Sequence, residues 1–336
     1  MLAACGPRCR IGSEPLVIQS LPILVLYPHS RCNCRCVMCD IWKTDRAEEI
    51  SVSELQRHLA DIERLRVEWV VFSGGEPLMH SDLFRLADLL RSRGIRTTAL
   101  STGLLIGRHA EQICESIDDM IVSLDGPPAL HDAIRRVAGA FNMLAAGVRA
   151  LHARRPGYPV AARATVQRGN FSKLRQTVQA AREIDLQSIS FLAADVTSEA
   201  FNRPGGWPPE RQASVALAVD ELHVLEAEIE ALIAEECGRG FVVETPEKLR
   251  RIVRHFRAHL GLEEPQAPPC NAPWISAVVE SDGTVRPCFF HRPIGNVREH
   301  SLAEVLNSPR AIEFRAALRV SENPVCRRCV CSLYRA

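Results

Sequence analysis

The chain has 336 residues, of which 46% are apolar and 24% are charged, and its formal net charge at pH 7 is +1. This composition is typical of a soluble globular protein with one large domain or two smaller ones, and it gives no indication of a nucleic-acid partner. No apolar run approaches the length of a membrane span, and only one residue precedes the lipoprotein-like box "LAAC" at 2–5, so we expect no membrane contact and a cytoplasmic location.

Short β-rich runs alternate with helical runs in the first part of the chain. The β-rich runs predict strands at 23–27, 69–73, 96–101, 119–125, 160–166 and 188–193. The helical runs predict helices at 51–65, 82–92, 107–116, 141–154 and 171–183, the first with a capping box formed by Ser51 and Glu54. Six β–α units in series predict a parallel sheet wound in one direction. Because eight units would close a barrel, six predict a partial (β/α)6 barrel.

The alternation ends at "RPGGWPP" (203–209), a segment rich in glycine and proline. Beyond it the pattern predicts helices at about 210–236 and 245–260, a linker at 263–270, and a hairpin within 274–288 that turns at "SDG". These boundaries predict a tail (1–19), a barrel core (20–200), a helical segment (201–265) and a small C-terminal hairpin and helix domain (266–336).

Thirteen cysteines are many for a cytosolic chain, and their odd number without a secretion signal argues against a disulfide framework. Four lie within 32–39 and five within 270–331, which favours metal binding in both places. Cys114 and Cys237 stand alone and are predicted to be small buried hydrophobes, while Cys5 and Cys9 receive no assignment.

The first cysteine group follows the first predicted strand. Cys32, Cys36 and Cys39 offer three thiolates to a [4Fe–4S] cluster, which would leave one iron open to a small molecule. A structural zinc site needs four ligands and would require Cys34, whose spacing is tight for a tetrahedral site. Spacing alone leaves both metals open.

The second motif is "FSGGEP" (72–77), at the end of the second predicted strand. Its two glycines let the backbone approach a ligand closely, and Glu76 can accept hydrogen bonds from a cationic amine. By itself this segment also fits an ordinary turn between a strand and a helix.

Together, the three spaced cysteines and Gly-Gly-Glu-Pro resemble the radical S-adenosylmethionine (SAM) superfamily. The segment "SLDGPPALHDAIR" (123–135) is similar to the fourth-strand region of the branch that also carries auxiliary clusters. The resemblance implies that a cluster on Cys32, Cys36 and Cys39 chelates SAM through its open iron. It also implies reductive cleavage of SAM to a 5′-deoxyadenosyl radical, which removes hydrogen from an unactivated carbon.

The same resemblance implies the other contacts of SAM. Met38 would lie beside the adenine, and the methionine amino group would meet the motif Gly74, Gly75, Glu76 and Pro77. Ser123 would contact the ribose or the carboxylate, and Arg135 and Arg163 compete for the carboxylate. Cys34 stands where the family has an apolar residue, and we interpret it as a non-ligand.

The second cysteine group comprises Cys270, Cys288, Cys326 and Cys329, and on spacing alone it fits a zinc ribbon or an iron–sulfur cluster equally. With the first motif present, it resembles the twitch domain, the short form of the SPASM domain. That resemblance implies one auxiliary [4Fe–4S] cluster on these four thiolates, with Cys331 spare. A fully ligated cluster would exchange electrons with the substrate radical or with the first cluster, which favours a two-electron oxidation.

These implications lead to a radical SAM oxidoreductase that dehydrogenates a small biosynthetic intermediate such as a sugar or cyclitol. A reductant such as flavodoxin or ferredoxin would supply the electron. The alternative within the superfamily is a peptide- or protein-modifying enzyme, although only 31 residues precede Cys32, too few for a leader-binding domain. A non-enzymatic iron–sulfur carrier or zinc scaffold would have no use for the Gly-Gly-Glu-Pro motif. Asp195, after the sixth predicted strand, is a candidate proton acceptor or an ordinary helix N-cap.

Overall fold

The computed structural model describes residues 16–236 and 238–335. Cys5, Cys9 and Cys237, which the sequence singled out, lie outside these ranges. The strands of the described residues are β1 (Ile23–His29), β2 (Trp69–Gly74), β3 (Arg96–Ser101), β4 (Asp119–Ser123), β5 (Val160–Val166), β6 (Ser188–Ala193), β7 (Ser276–Val279), β8 (Thr284–Arg286) and β9 (Gly295–Asn296).

Helices connect and cover these strands. In the same residues they are α1 (Val52–Arg64), α2 (Leu83–Arg91), α3 (Ile106–Ser116), α4 (Pro128–Arg135), α5 (Ala140–Arg154), α6 (Leu174–Glu183), α7 (Pro209–Ala213), α8 (Leu222–Glu236), α9 (Pro246–His259), α10 (Ala272–Ile275), α11 (Leu302–Leu306), α12 (Pro309–Ala317) and α13 (Pro324–Arg327). The predicted capping box of α1 is confirmed, because Ser51 Oγ accepts from the Glu54 amide at 3.2 Å and the Glu54 carboxylate accepts from the Ser51 amide at 2.8 Å.

The strands form one sheet in the order β6-β5-β4-β3-β2-β1-β7-β8-β9. From β1 to β6, each strand pairs in parallel with the next one along the chain. This arrangement confirms the partial (β/α)6 barrel. Because parallel strands joined by crossovers bring their carboxyl ends to one edge, the loops after β1, β2, β4 and β6 meet there.

The two faces of the sheet differ in burial. In β5, Ala162 and Ala164 are buried among the helices, whereas Ala161, Arg163 and Thr165 on the other side are not. The register places Ser123 of β4 and Ser190 of β6 beside Arg163. We call this side of the sheet the open face, and it is the inner surface of the partial barrel.

The predicted C-terminal hairpin is confirmed and has an additional partner. β7 and β8 pair antiparallel through Val278–Arg286 and Val279–Val285. β7 also pairs in parallel with β1, from Ile23–Ser276 to Leu26–Val279. The hairpin therefore extends the barrel sheet, which brings the second cysteine group beside the first strand.

One predicted helix was wrong, and the barrel core contains one helix that the sequence did not predict. The helix expected over 210–236 is divided into α7 and α8, because 214–218 leave the helical path and bury Val215, Ala216 and Leu217 in the core. The segment 128–135 forms α4, which the sequence did not predict. α4 begins at Pro128, a position where the missing amide hydrogen of proline costs nothing.

None of the helices in the described part of the chain combines the length and the apolar character that crossing a membrane requires.

Candidate active site

The first cysteine loop, residues 30–40, leaves the carboxyl end of β1 and is held from two sides. On one side, the amides of Arg35 and Val37 donate to the last carbonyls of α4, at 3.2 and 3.0 Å. On the other side, the Asp40 amide donates to the carbonyl of Phe201, in the segment after β6, at 3.2 Å. The loop therefore has a fixed path without regular secondary structure of its own.

The three predicted ligands lie together on this loop. Cys36 is buried, and Cys32 and Cys39 are half-buried, all as free thiols. Burial raises the pKa of Cys32 and of Cys39 to about 12, and the charge of Cys36 contributes to this rise in both. Buried thiols that resist ionisation need a positive partner, so this donor set fits an iron centre that carries positive charge.

Cys34 is almost wholly buried and packs in the hydrophobic core, as Cys36 does. A hydrogen bond between the Cys34 and Cys36 thiols lowers the pKa of Cys36, and the nearby Arg135 guanidinium lowers it further. The same bond and burial raise the pKa of Cys34. That Cys34 is not a ligand stays a prediction.

The Gly-Gly-Glu-Pro turn packs directly on the start of the cysteine loop. Gly74 has φ of +101°, and a Cβ there would lie 2.7 Å from the ring of Tyr27. A Cβ on Gly75 would overlap the carbonyl group of Arg31, with its carbon at 2.6 Å. The Glu76 amide donates to that same carbonyl at 2.8 Å. Only glycine allows this approach, which joins the two sequence motifs into one site.

The Glu76 side chain is fully buried, and protein donors occupy its oxygens. Ser101 Oγ donates to Oε1 at 2.9 Å and the Thr102 amide donates to Oε2 at 2.7 Å, while burial raises the pKa of the carboxyl. The side chain thus fastens the end of β2 to the end of β3. After Glu76 the chain continues into a short helical turn that starts at Pro77. A ligand amine bound here would contact the backbone and not the Glu76 carboxylate.

The two candidates for the SAM carboxylate occupy different surroundings. Arg135 is buried, pairs with Asp125 at 2.5 Å and donates to Cys36 Sγ at 3.5 Å. Arg163 is exposed on the open face beside Ser123, and its Nε donates to Ser190 Oγ at 3.3 Å. Arg135 therefore lies at the first cysteine loop, whereas the charge of Arg163 acts on the Cys331 thiol at the other cysteine group.

Asp195 does not start a helix, so the N-cap interpretation was wrong. Its carboxylate caps a turn, accepting from the amides of Thr197 and Ser198 at 3.4 and 3.3 Å. It also pairs with Arg203 at 3.3 Å, and the two side chains are 3% and 0% exposed. The predicted proton acceptor is thus a buried ion-pair partner, and its catalytic role stays a prediction.

Sequence reasoning missed the residues that hold the back of the cysteine loop. Arg203 donates to the carbonyl of Met38, and its guanidinium lies 3.6 Å from the centre of the Trp207 ring. Trp207 Nε1 donates to Asp40 Oδ2 at 2.7 Å. Both residues lie in "RPGGWPP", which the sequence marked only as a boundary. The one signal in the sequence was that the charged Arg203 stands close to the aromatic Trp207, a pattern that could have predicted a charge buried against an aromatic ring.

The second cysteine group gathers where α10, the end of β8 and α13 meet. Burial raises the pKa of Cys288 to about 12 and of Cys326 to about 11, and the charge of Cys270 raises both. Burial raises the pKa of the Cys329 thiol, and the charge of Cys331 contributes to this rise. His291 Nε2 lies 3.4 Å from Cys326 Sγ. More sulfur donors meet here than one cluster needs, and they fit a cationic iron centre as the first group does.

In residues 16–236 and 238–335, no three or more His, Cys, Asp or Glu side chains are arranged to hold a single metal ion. In a [4Fe–4S] cluster each thiolate binds a different iron, so the ligands of a cluster surround a larger body than one ion.

Comparison with known families decides the superfamily. A profile of the "Radical SAM superfamily" matches residues 26–188, and a profile of SPASM, an "Iron-sulfur cluster-binding domain", matches residues 270–330. The chain belongs to the radical SAM superfamily. It is an enzyme of the branch with a C-terminal auxiliary cluster domain, and its cofactors are SAM and [4Fe–4S] clusters.

Curated relatives extend this result. Pre-heme d1 synthase of Dinoroseobacter shibae is 36% identical over 180 residues, which are 52% of this chain and 42% of that protein. Fe-coproporphyrin III synthase of Methanosarcina barkeri is 28% identical over 303 residues, covering 84% of this chain and 73% of that one. PqqA peptide cyclase of Ruegeria pomeroyi is 24% identical over 285 residues, covering 82% and 70%. The first match thus spans less than half of its relative.

A solved structure confirms the fold of this radical SAM enzyme. The crystal structure of Streptococcus suis SuiB bound to S-adenosylmethionine aligns with a TM-score of 0.65 at 16% identity, covering 95% of this chain and 74% of that one. At this identity the likeness concerns the architecture alone.

Proposed function

We propose that this radical SAM enzyme is an oxidoreductase that acts on a tetrapyrrole. The observation that carries the proposal is the match to Fe-coproporphyrin III synthase, because it runs through the barrel core and the auxiliary domain together. The match to pre-heme d1 synthase is shorter but higher in identity, and the name of that relative refers to a heme. Neither relative is named for a sugar or a cyclitol, so that expectation from the sequence gains no support from them.

The cofactor assignments belong to this proposal. Cys32, Cys36 and Cys39 would hold the SAM-binding cluster, and the auxiliary cluster would take Cys270, Cys288, Cys326 and Cys329. The support is that each set of thiols is partly or wholly buried and that burial raises the pKa of its members. The division into a core (20–200), a helical segment (201–265) and an auxiliary domain (266–336) is proposed on the same basis.

When bound, SAM and the first cluster supply a radical that removes a hydrogen atom from carbon, and a second electron leaves the substrate in the net oxidation. The residues of the chain position these groups. The backbone of Gly74 and Gly75 would receive the SAM ammonium group, and Arg135 would balance charge beside Cys36. The segment that contains Arg203 and Trp207 covers the loop from behind and keeps water from it.

Modification of a peptide is a second candidate, because the match to PqqA peptide cyclase also runs through both domains, over 285 residues. Its identity is lower than that of the match to Fe-coproporphyrin III synthase, at 24% against 28%. The following experiment decides between the two substrates.

The test is anaerobic. The chain is reconstituted with iron and sulfide, iron is counted, and 5′-deoxyadenosine is measured after addition of SAM and dithionite with different substrates. We expect about eight irons per chain, since each of two clusters holds four. Several tetrapyrroles that differ in oxidation state and side chains are tested, together with Fe-coproporphyrin III, the product for which the relative is named, and one of the tetrapyrroles should stimulate SAM cleavage and be consumed. A set of Cys- and Tyr-containing peptides and a set of cyclitols serve as matched controls.

If a peptide stimulates SAM cleavage and no tetrapyrrole does, the second candidate replaces the proposal. About four irons per chain would contradict the auxiliary cluster, and no SAM cleavage with any substrate would contradict the radical chemistry.

A further inference from the structure

A buried histidine stands among the thiols of the second cysteine group and is not one of the proposed ligands. His291 lies three positions after Cys288 and is only 7% exposed. Its Nε2 atom is 3.4 Å from Sγ of Cys326, in a hydrogen bond between the imidazole and the thiol. Among the described residues, no other side-chain nitrogen forms a hydrogen bond with a thiol of this group.

The chemistry of a cluster ligand decides the direction of this hydrogen bond. Between a free thiol and a neutral imidazole, either partner can donate the proton. A cysteine that binds iron is a thiolate and has no proton to donate. When Cys326 is a ligand, the hydrogen bond therefore requires a proton on Nε2 of His291, which donates to the sulfur.

Three contacts hold the imidazole of His291 in place. The His291 amide donates to the carbonyl of Cys288 at 3.3 Å, and the His291 carbonyl accepts from Arg286 Nη1 at 3.0 Å. Arg286 is fixed in turn, because its Nε donates to Glu280 Oε1 at 2.7 Å across the β7–β8 hairpin. The imidazole ring packs against Phe314 of α12, with centroids 4.9 Å apart. Both the backbone and the ring of His291 are thus positioned by the protein.

The sulfur that accepts the hydrogen bond is positioned independently. Cys326 lies in α13, and Asn323 Oδ1 accepts from the amides of Val325 and Cys326 at 3.0 and 3.2 Å. His291 and Cys326 are 35 positions apart, so their contact joins the segment after β8 to the last helix. A substitution of His291 removes this hydrogen bond and leaves every thiol in the chain.

A hydrogen bond to a ligating sulfur stabilises the two redox states of a cluster unequally. The reduced cluster carries one more negative charge than the oxidised cluster, and part of that charge lies on the sulfurs. A donor N–H group therefore stabilises the reduced state more, which raises the reduction potential.

We propose that His291 donates a hydrogen bond from Nε2 to Cys326 and thereby raises the reduction potential of the auxiliary cluster. This inference rests on the proposed function, in which Cys326 is a ligand of that cluster. In the proposed oxidation one electron leaves the substrate radical, and a higher potential favours its transfer to the auxiliary cluster. His291 is a positioning residue, because it acts through Cys326 and not on the substrate.

The test measures the reduction potential apart from turnover. The full chain with Cys32, Cys36 and Cys39 replaced by Ala is reconstituted, so that the auxiliary cluster alone contributes to the signal. Iron is counted, and the cluster is titrated with a reductant in the absence of SAM and followed by electron paramagnetic resonance. In this background His291→Phe keeps an aromatic ring but removes the donor. It should shift the equilibrium between the redox states about ten-fold towards the oxidised state, which lowers the potential by about 59 mV.

Rescue and control variants separate the hydrogen bond from packing. His291→Gln keeps an N–H donor on a side chain of similar length and should have the potential of the unchanged His291 background. His291→Leu is a second variant without a donor, and it serves if His291→Phe does not hold the cluster. The matched control is His300→Phe, an exposed histidine of the same C-terminal region, which should leave the potential unchanged.

The outcomes separate this inference from the proposed function. If about four irons are retained and the variants without a donor have the same potential as His300→Phe, the inference is wrong and the auxiliary cluster stands. Loss of iron in the Phe, Leu and Gln variants of His291 alike would also overturn it, because His291 would then be needed to hold the cluster. If the background with His291 unchanged holds no iron, the proposed auxiliary cluster is wrong, and the inference fails with it.

Discussion

Arg203 is predicted to hold the first cysteine loop, and its replacement by Met tests this directly. The guanidinium is fully buried, pairs with Asp195 at 3.3 Å, and donates to the carbonyls of Asp195 and Met38. Met keeps most of the length and the contact with Trp207 but removes the charge and all donors. The Asp195 carboxylate and the Met38 carbonyl would then be buried without this partner.

The expected loss follows from the burial of the pair. Removing one member of a buried ion pair costs about 3–5 kcal/mol, because the remaining charge stays out of water. With a urea m-value of about 3 kcal/mol per M, the midpoint of unfolding should fall by about 1–2 M. The matched control is Arg250→Met. Its pair with Glu230 is 52% and 54% exposed, so the control should lose at most about 1 kcal/mol.

The assay is urea unfolding of the apo chain, followed by circular dichroism and tryptophan fluorescence. Asp195→Asn and the double variant with Arg203→Met complete a cycle. Because the two side chains are in contact, the double variant should lose less than the sum of the single ones. The same variants, once reconstituted, should retain less iron at the first cluster, since the Met38 carbonyl is one residue from Cys39.

Two results would refute this reasoning. A loss in Arg203→Met no larger than in Arg250→Met would mean that the buried pair does not stabilise the loop. Full stability in Asp195→Asn, together with complete loss of SAM-dependent turnover, would restore Asp195 as a catalytic proton acceptor and not as the ion-pair partner described above.

Three further predictions concern the clusters, pH and backbone packing. Replacing Cys32, Cys36 and Cys39 with Ala should abolish SAM cleavage and leave about four irons per chain, and retained cleavage would contradict the assignment. Burial lowers the pKa of His131 from its usual 6.5 to about 3, so its contribution to stability is complete above pH 6.5 and is lost as the pH falls. The free energy of unfolding should therefore be about 2 kcal/mol lower at pH 5 than above pH 6.5. Urea unfolding of His131→Asn should show a smaller decrease between these pH values. Gly75→Ala should cost about 1–3 kcal/mol in the same assay, because its Cβ overlaps the backbone of the cysteine loop.

The controls for these variants come from the same chain. Cys114→Ala should keep about eight irons. Gly107→Ala should not destabilise the protein, because a Cβ there has only one contact, at 3.9 Å. An equal loss in Gly75→Ala and Gly107→Ala would argue against the close approach at the Gly-Gly-Glu-Pro turn.

Local pattern in the sequence was enough to predict the barrel. The alternation of β-rich and helical runs, with features such as the Ser51–Glu54 capping box, acts over a few residues, and each strand of the core formed where its run predicted one. The spacing of the cysteines in both groups likewise led to the superfamily and to the auxiliary domain. These features can be predicted from the sequence because each depends on residues that are close together in the chain.

The tertiary structure decided how the distant parts meet. The donor and acceptor that join Arg203 to Met38 are 165 positions apart, and Trp207 and Asp40 are 167 apart. No local pattern in the sequence predicts the pairing of β7 with β1. The same holds for the packing of the Phe289 ring against the rings of Tyr27 and Phe201. The contacts between distant segments form only when the whole sheet is assembled, because each segment could pack against many others and the complete fold decides which ones meet. The sequence by itself determined the strands of the core and the spacing of the cysteines, and the fold determined what surrounds them.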